Sequence, residues 1–359
     1  MSDSRKEAEE KMAKAIFISG DGWLAVFDLL APSQLGLGIS MISHRFDFYV
    51  DEHFKTRKWT LRNIRIGRRI GENGTKEMEI VNLDGKALPI AQMQLPRKVI
   101  GFRRITITYI DRNVITFLHR FCQLFASCPI NLSFGTNTYR ILEFILPNIW
   151  PMFEKNICGL GLYADDFDRL RQCVPSFLND FPSLRFVSLY FGDLFTEFPA
   201  DDSAMASDGQ ALAKWLFTAH PNNVPKMFKC YLDIDDGNWS ARVEALKAAF
   251  SNASSPAAFI VVVWFRSSYF ADSILAFDQT NELTREQLAL KSTDYRRRFL
   301  LIRCPIERDA SKWAKWEEEA NVWEIYTQWN RIGIQITSER DIGDRLLNAT
   351  PGPSDHRSE

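Results

Sequence analysis

The chain has 359 residues, which is enough for one large domain or for two to three small ones. Hydrophobic residues make up 46% and aromatic residues 13% of it, so a sizeable core can form. Its 44 Lys and Arg residues against 45 Asp and Glu residues leave a formal net charge of -1. This balance argues against a nucleic acid or an anionic membrane as the partner of the whole chain.

The two ends of the chain and its cysteines indicate the compartment. Residues 1–14 are mostly polar and charged, and we predict that they are disordered or form a frayed helix. The tail at 350–359, TPGPSDHRSE, is predicted to be disordered. No stretch of about eighteen uninterrupted apolar residues is present, which argues against a membrane span. The 6 cysteines lack C-x-x-C spacing, so we expect buried reduced thiols and a cytoplasmic or nuclear location.

Residues 15–59 are predicted to form three short amphipathic helices. Asp21 can cap the first of them, and Pro32 ends it because proline disfavours a helical residue before it. The third helix is predicted over residues 43–54. The apolar positions at helical spacing are Trp23, Val26, Phe27 and Leu30 in the first helix, Leu35, Leu37, Ile39 and Ile42 in the second, and Phe46, Tyr49 and Val50 in the third. Three helices of this length bury little surface, which favours docking on something larger.

This stretch resembles an F-box, the adaptor-binding module of substrate receptors in SCF-type (cullin-RING) ubiquitin ligases. The resemblance rests on Leu24, Val26-Phe27, Leu30, Pro32 and Leu35, then Ile42-Ser43-His44-Arg45-Phe46, with Phe54 and Trp59 closing the pattern. The chain departs from the family where Phe17-Ile18 replaces a leucine-proline pair and where Phe46 replaces a tryptophan. It is also similar to F-box-like proteins of nematodes, over Ile16 to Trp59 and over the stretch that ends at Pro256.

The resemblance implies a non-catalytic subunit without a cofactor or a metal. Its partners would be a Skp-type adaptor, through it a cullin scaffold, and a target protein whose identity the sequence leaves unknown. The residues that the resemblance assigns to the adaptor interface are Phe17, Ile18, Trp23, Leu24, Val26, Phe27, Leu30, Pro32, Leu35, Leu37, Ile42 and Phe46. The alternative is an ordinary helical cap on the domain that follows.

Residues 60–98 are predicted to form a β-hairpin connector. The strand patterns at 77–81 and 86–90 flank Asp84-Gly85, a dipeptide typical of two-residue hairpin turns. Residues 92–98, which include Pro96, indicate the boundary with the next domain.

Residues 99–349 alternate between short apolar strands and longer helical patterns, which predicts an α/β domain with parallel strands and helical crossovers. The first four strand centres recur at about 25–28 residues, a period typical of leucine-rich repeats. We therefore expect an irregular leucine-rich-repeat-like array that binds the target protein, and an ordinary βαβ sheet is the alternative. Predicted strands lie at 104–110, 130–134, 158–162, 184–190, 229–234, 259–265 and 299–303, and helices at 113–127, 138–154, 166–180, 208–219, 239–253 and 309–328.

The sequence contains few motifs that indicate catalysis or metal binding. Asp233, Asp235 and Glu244 fit parts of a calcium-binding loop, but Asn238 stands at the position where that loop requires a glycine. Helix capping therefore explains these carboxylates better. The 5 histidines lack metal-ligand spacing. Trp313, Trp316 and Trp323 form a helical stripe that is predicted to seal the end of the array. Three hypotheses follow: a receptor subunit of a ubiquitin ligase, a protein-interaction scaffold without that role, and an enzyme whose site is assembled only in three dimensions.

Overall fold

The structure is a computed structural model, and it describes residues 18–30, 35, 39–55, 59–70, 76–82, 87–88, 99–190, 192–232, 239–266, 274–293 and 297–348. The terminal segments predicted to be disordered, 1–14 and 350–359, lie outside the described residues, as do Asp233 and Asp235. Within the described ranges the chain is an α/β protein with ten α-helices and one large, mostly parallel sheet.

The helices, numbered in chain order, are α1 (Gly20–Phe27), α2 (His44–Lys55), α3 (Arg112–Arg120), α4 (Cys122–Ser127), α5 (Tyr139–Asn148), α6 (Ala164–Cys173), α7 (Phe177–Asp180), α8 (Asp208–Leu216), α9 (Trp239–Ser251) and α10 (Ala310–Val322). The strands are β1 (Trp59–Ile70), β2 (Lys76–Asn82), β3 (Ala87–Leu88), β4 (Val99–Ile107), β5 (Ile130–Thr136), β6 (Ile157–Leu162), β7 (Phe186–Leu189), β8 (Lys226–Leu232), β9 (Phe259–Phe265), β10 (Phe277–Asn281), β11 (Glu286–Ser292), β12 (Arg298–Pro305) and β13 (Arg331–Ile336).

All 13 strands belong to one sheet, in the order β10-β11-β12-β9-β8-β7-β6-β5-β13-β4-β1-β2-β3. Every neighbouring pair from β9 to β1 is parallel, which confirms the predicted parallel pairing for the strands from β4 to β9. The predicted strand at 299–303, which is part of β12, instead pairs antiparallel with β9. Antiparallel strands extend the sheet at both ends. Ile80 pairs with Leu88 and Val81 with Ala87, which confirms antiparallel pairing of the two hairpin strands. The predicted turn at Asp84-Gly85 lies outside the described residues. β1, β2 and β3 belong to the same sheet as β4 and the later strands, and the proposed domain boundaries stay predictions.

The last strand, β13, lies between β4 and β5 and is parallel to both. Asn330, just before β13, accepts a hydrogen bond on Oδ1 from the Phe102 amide of β4 at 2.9 Å. On the other side, the Asn131 side-chain amide donates to the Trp329 carbonyl, 198 residues away, at 2.9 Å. These two contacts fix the entry of β13, and they explain why β4 and β5 are not neighbours although they follow each other in the chain.

Apolar side chains pack against both faces of the sheet. The back face carries the large core, in which α1 to α9 contribute buried residues such as Phe117, Phe167 and Trp215. The front face carries a separate cluster, in which Trp313 and Trp323 contact Phe186 and Ile260 of the strands. Successive parallel crossovers of one hand place their helices on the same face, so the back-face helices follow from the order of β5 to β9.

The tryptophan stripe occupies a different place from the predicted one. Trp323 is 7% exposed and stacks flat on Phe186 of β7, with ring centroids 4.8 Å apart and 8° between the planes. Trp313 is buried beside Trp316, at 5.3 Å between centroids. The stripe therefore covers the front face of the sheet, because α10, which leads from β12 towards β13, packs on that face.

Local features of the helices differ from the sequence expectations at several points. The predicted helix at 138–154 ends at Asn148, and the predicted helix at 166–180 is the two helices α6 and α7. Ser19 caps α1 by accepting from the Gly22 amide at 3.2 Å, and Asp21 lies in the first turn. Ser207 caps α8 in a capping box with Gln210, and Asp208, the first residue of the predicted helix at 208–219, is the first helical residue. The predicted helix at 113–127 is two helices that meet at Phe121. Serine is a strong capping residue, and its position just before α1 and α8 explains both caps.

Candidate functional site

The predicted interface residues fall into three groups in the structure. Phe17, Pro32 and Leu37 lie outside the described residues. Phe27 and Leu35 are buried in the core, with exposures of 1% and 0%. The other seven are half-buried or exposed: Ile18, Trp23, Leu24, Leu30 and Phe46 are half-buried, and Val26 and Ile42 are exposed.

The buried and half-buried members form the core of the helical module. The Trp23 ring meets the Phe46 ring edge-on at 4.8 Å and lies 6.3 Å from the Phe27 ring. Val50 and Phe54 of α2 are also buried, at 1% and 2% exposure. These side chains hold α1 and α2 together, and their removal would damage the fold of the module before it changed any interface.

Among the residues of the module that the structure describes, five large apolar side chains point to solvent. Leu29 is 85%, Ile42 63% and Phe48 59% exposed, and Val26 and Met41 are each 39% exposed. The sequence singled out only Val26 and Ile42 of this exposed apolar set. Leu29, Met41 and Phe48 do not follow the helical spacing of the core positions. A residue that does not follow this spacing is expected at the surface.

A second feature lies on the front face of the sheet, over the neighbouring strands β13, β5 and β6. It extends from Arg331, the first residue of β13, to Gln335 near the carboxyl end of the same strand. A cleft of about 690 Å³ opens there. Its floor is a row of small residues, because the register places Gly333, Ser133 and Gly161 side by side on three strands. A Cβ at Gly161 would come 2.7 Å from the Tyr190 hydroxyl and 3.0 Å from Ile325, so only glycine allows this close approach.

Three tyrosines form the aromatic wall of the cleft. The Tyr190 ring lies 5.5 Å from that of Tyr163 and 6.5 Å from that of Tyr326, nearly parallel to the latter at 21°. Tyr163 and Tyr326 are 50% and 59% exposed. Burial raises the pKa of the Tyr190 hydroxyl, and the nearby charge of Arg331 opposes this shift.

A carboxylate and an arginine tie the strand ends to helix α6. The Asp166 side chain accepts from the Thr136 amide at 3.1 Å and from Arg169 Nη2 at 2.9 Å on the same oxygen, Oδ1. Asp166 is 3% exposed, so this ion pair forms the base of the wall. Two buried polar atoms beside it, Thr136 Oγ1 and Arg169 Nε, have no hydrogen-bond partner among the described residues.

Arg331, the first residue of β13, adds a cation to the cleft. The strand register places it directly opposite Arg104 of β4. Burial, and then the neighbouring charge of Arg104, lower the pKa of its guanidinium, while Tyr190 acts in the opposite direction. No carboxylate of the described ranges lies within ion-pair distance of Arg331, and its buried Nε has no hydrogen-bond partner there.

The sequence reasoning missed the cleft. The sequence signal that could have indicated the cleft was small residues at alternate strand positions, as in Ser133 and Gly135 of β5 or Gly159 and Gly161 of β6.

Compared with protein-family models, with curated proteins and with solved structures, the chain matches none. Over the described residues, no helix is long and apolar enough to cross a bilayer, and no cluster of metal-ligating side chains is found.

Proposed function

We propose that this chain is a non-catalytic substrate receptor of an SCF-type ubiquitin ligase, whose helical module binds a Skp-type adaptor. The observation that carries the proposal is the exposed apolar set on α1, the following turns and α2: Val26, Leu29, Met41, Ile42 and Phe48. A module that only capped the sheet would keep such side chains on its inner side. Burying each of them in a partner is worth about 1.5–3 kcal/mol before the costs of association.

The rest of the chain then holds the target protein. The order of β5 to β9, in which each strand lies beside the next, supports a repeat-like array of strand-helix units. Such an array presents loops from successive units along one edge, and target residues are contacted there side chain by side chain. The ligase's other subunits supply the chemistry, and this chain raises the effective concentration of the target near them.

The adaptor interaction can be tested by co-purification of the full chain with a Skp-type adaptor. The informative variant carries Leu29→Asp, Ile42→Asp and Phe48→Asp, because these positions are exposed and their substitution leaves the core intact. We expect capture to weaken on the order of 100-fold or more, since three charges would be buried in an apolar interface. Substituting Phe27 would be uninformative because its ring is part of the core.

A matched control carries two aspartates at exposed leucines far along the chain, Leu275→Asp and Leu283→Asp, which are 84% and 73% exposed in the wild-type protein. We expect this variant to capture the adaptor like the wild type. If the folded wild-type chain retains no Skp-type adaptor, the ligase role is refuted and the scaffold hypothesis takes its place.

A further inference from the structure

We propose that the cleft on the front face of β13, β5 and β6 binds a small organic anion that joins a phosphate or carboxylate group to a flat ring. This site is independent of the adaptor-binding module, and it adds a ligand to a protein otherwise proposed to bind only proteins. The parts of the proposal are the uncompensated charge of Arg331, the wall of tyrosines and the open floor.

Two carboxylates, Asp165 and Asp166, and two guanidinium groups, Arg169 and Arg331, line the cleft. Asp165 is exposed to solvent and no ion pair joins it to Arg331, so Arg331 is the half-buried charge that an anion would neutralise. Arg169 is neutralised by Asp166 at 2.9 Å, and the pair of Lys229 and Glu324 nearby is likewise self-contained. Arg331 faces a second cation, Arg104, and the groups that act on its charge are that arginine and a tyrosine hydroxyl. A half-buried guanidinium beside a like charge is unfavourable until an anion joins it. The planar guanidinium suits phosphate and carboxylate oxygens, which it can bind through two parallel hydrogen bonds.

The exposed tyrosine rings of the cleft wall can stack on a flat group attached to the anion. Tyr163 and Tyr326 keep about half of their surface exposed at the cleft, on either side of Tyr190. Aromatic rings bind other rings at centroid distances of about 4.5–7 Å, the range in which these tyrosines already contact each other. An added ring would extend an existing stack instead of requiring a new one.

The floor leaves room for this ligand. The lining strand β5 carries only small side chains at Ser133 and Gly135, and the volume of about 690 Å³ lies within the roughly 300–1,000 Å³ of small-molecule sites. A Cβ at Gly135 would meet only Asp166 Oδ2, at 3.8 Å, an ordinary contact. Gly135 is therefore not required for packing, and a larger side chain there would occupy the cleft without straining the strand.

The test is calorimetric titration of the full chain with four probes: phenyl phosphate, benzoate, inorganic phosphate and phenol. We expect saturable binding of phenyl phosphate or benzoate, and at least tenfold weaker binding of inorganic phosphate and of phenol, which each lack one half of the ligand. The tighter of the two ring-bearing anions identifies the anionic group. Absence of saturable binding for both would overturn the proposal.

Two variants locate the binding. Arg331→Met removes the charge and keeps an apolar stem, and Gly135→Val fills the floor with a residue suited to a strand. Each should weaken binding of the ring-bearing anion at least tenfold, the effect of losing a charge-assisted hydrogen bond or the available space. Arg285→Met, at an exposed arginine paired with Glu307, is the control and should bind like the wild type.

Wild-type affinity in folded Arg331→Met, or in Gly135→Val if the first variant fails to fold, would overturn the assignment. Adaptor capture by the same variants should be unchanged, since the exposed apolar set lies on other elements. Loss of anion binding and loss of adaptor binding are thus separate outcomes.

Discussion

The buried ion pair between Arg303 and Glu286 provides the sharpest test of how the antiparallel end of the sheet is held. Arg303 is 0% and Glu286 2% exposed. Arg303 donates from Nε and Nη2 to Glu286 Oε2 at 3.1 and 2.6 Å, and from Nη2 to the Ser255 carbonyl at 2.9 Å. Glu286 Oε1 accepts from the Ala257 amide at 2.9 Å. The pair therefore links β11 and β12 to the segment that leads into β9.

Removing one partner leaves the other charge buried without compensation. For Arg303→Met we expect a loss of about 3–5 kcal/mol in the free energy of unfolding, the cost typical of breaking a buried pair. Glu286→Gln retains an acceptor for the Ala257 amide, so its loss should be smaller, about 3 kcal/mol. In the double variant neither charge remains. Its loss should be at least about 2 kcal/mol smaller than the sum of the two single losses.

The assay is equilibrium unfolding in urea, followed by tryptophan fluorescence, for the four members of this double-mutant cycle. The control cycle uses the exposed pair of Arg285 and Glu307, with side chains 71% and 81% exposed, where a coupling of only about 0.2–1 kcal/mol is expected. If the losses for Arg303 and Glu286 add to within about 0.5 kcal/mol, the two charges are not coupled, and the reasoning from burial is wrong.

Two further predictions concern pH and packing. Burial lowers the pKa of Lys226 to about 8, so its charge destabilises the fold below that pH, and the penalty disappears as the pH rises from about 8 to about 10.5. Lys226→Met removes this charge together with the hydrogen bond that Lys226 Nζ donates to the Trp215 carbonyl at 2.6 Å. In urea unfolding, the wild type should gain up to about 3 kcal/mol of stability relative to Lys226→Met as the pH rises from about 8 to about 10.5. A difference that stays constant over this pH range would contradict the shift. Trp323→Ala should lower the free energy of unfolding by about 3–5 kcal/mol in the same urea assay, because it empties the contact between α10 and β7. Trp329→Ala, at a ring that is 52% exposed, should lower it by less than about 1 kcal/mol. Equal losses would show that the front-face stack does not hold α10.

The sequence determined the elements whose causes are local. The apolar run of β9 is predicted and observed over the same residues, Phe259–Phe265. Asp111 and Asp309 cap α3 and α10 by accepting from amides three residues ahead, a contact that depends only on neighbours in the chain. The parallel order of β5 to β9 followed from the alternation of strand and helix, because short crossovers of one hand leave few other arrangements.

Only the tertiary structure decided where the later strands lie. In β13, Ile332, Ile334 and Ile336 alternate with small or polar residues, a pattern that indicates a strand but not its neighbours. Its insertion between β4 and β5 depends on partners about 200 residues earlier, such as Asn131. The same long-range pairing places Arg331 opposite Arg104. The antiparallel strands β10 to β12 likewise complete a sheet edge that local patterns leave unspecified.

The two candidate sites divide in the same way. The helical module was found from apolar residues at helical spacing, which is a property of one continuous segment. The cleft collects side chains from three neighbouring strands and from the turn before β13, so it exists only once the register is set. Spacing along the chain carries information about one element at a time, whereas the charge and shape of a cleft depend on which elements become neighbours.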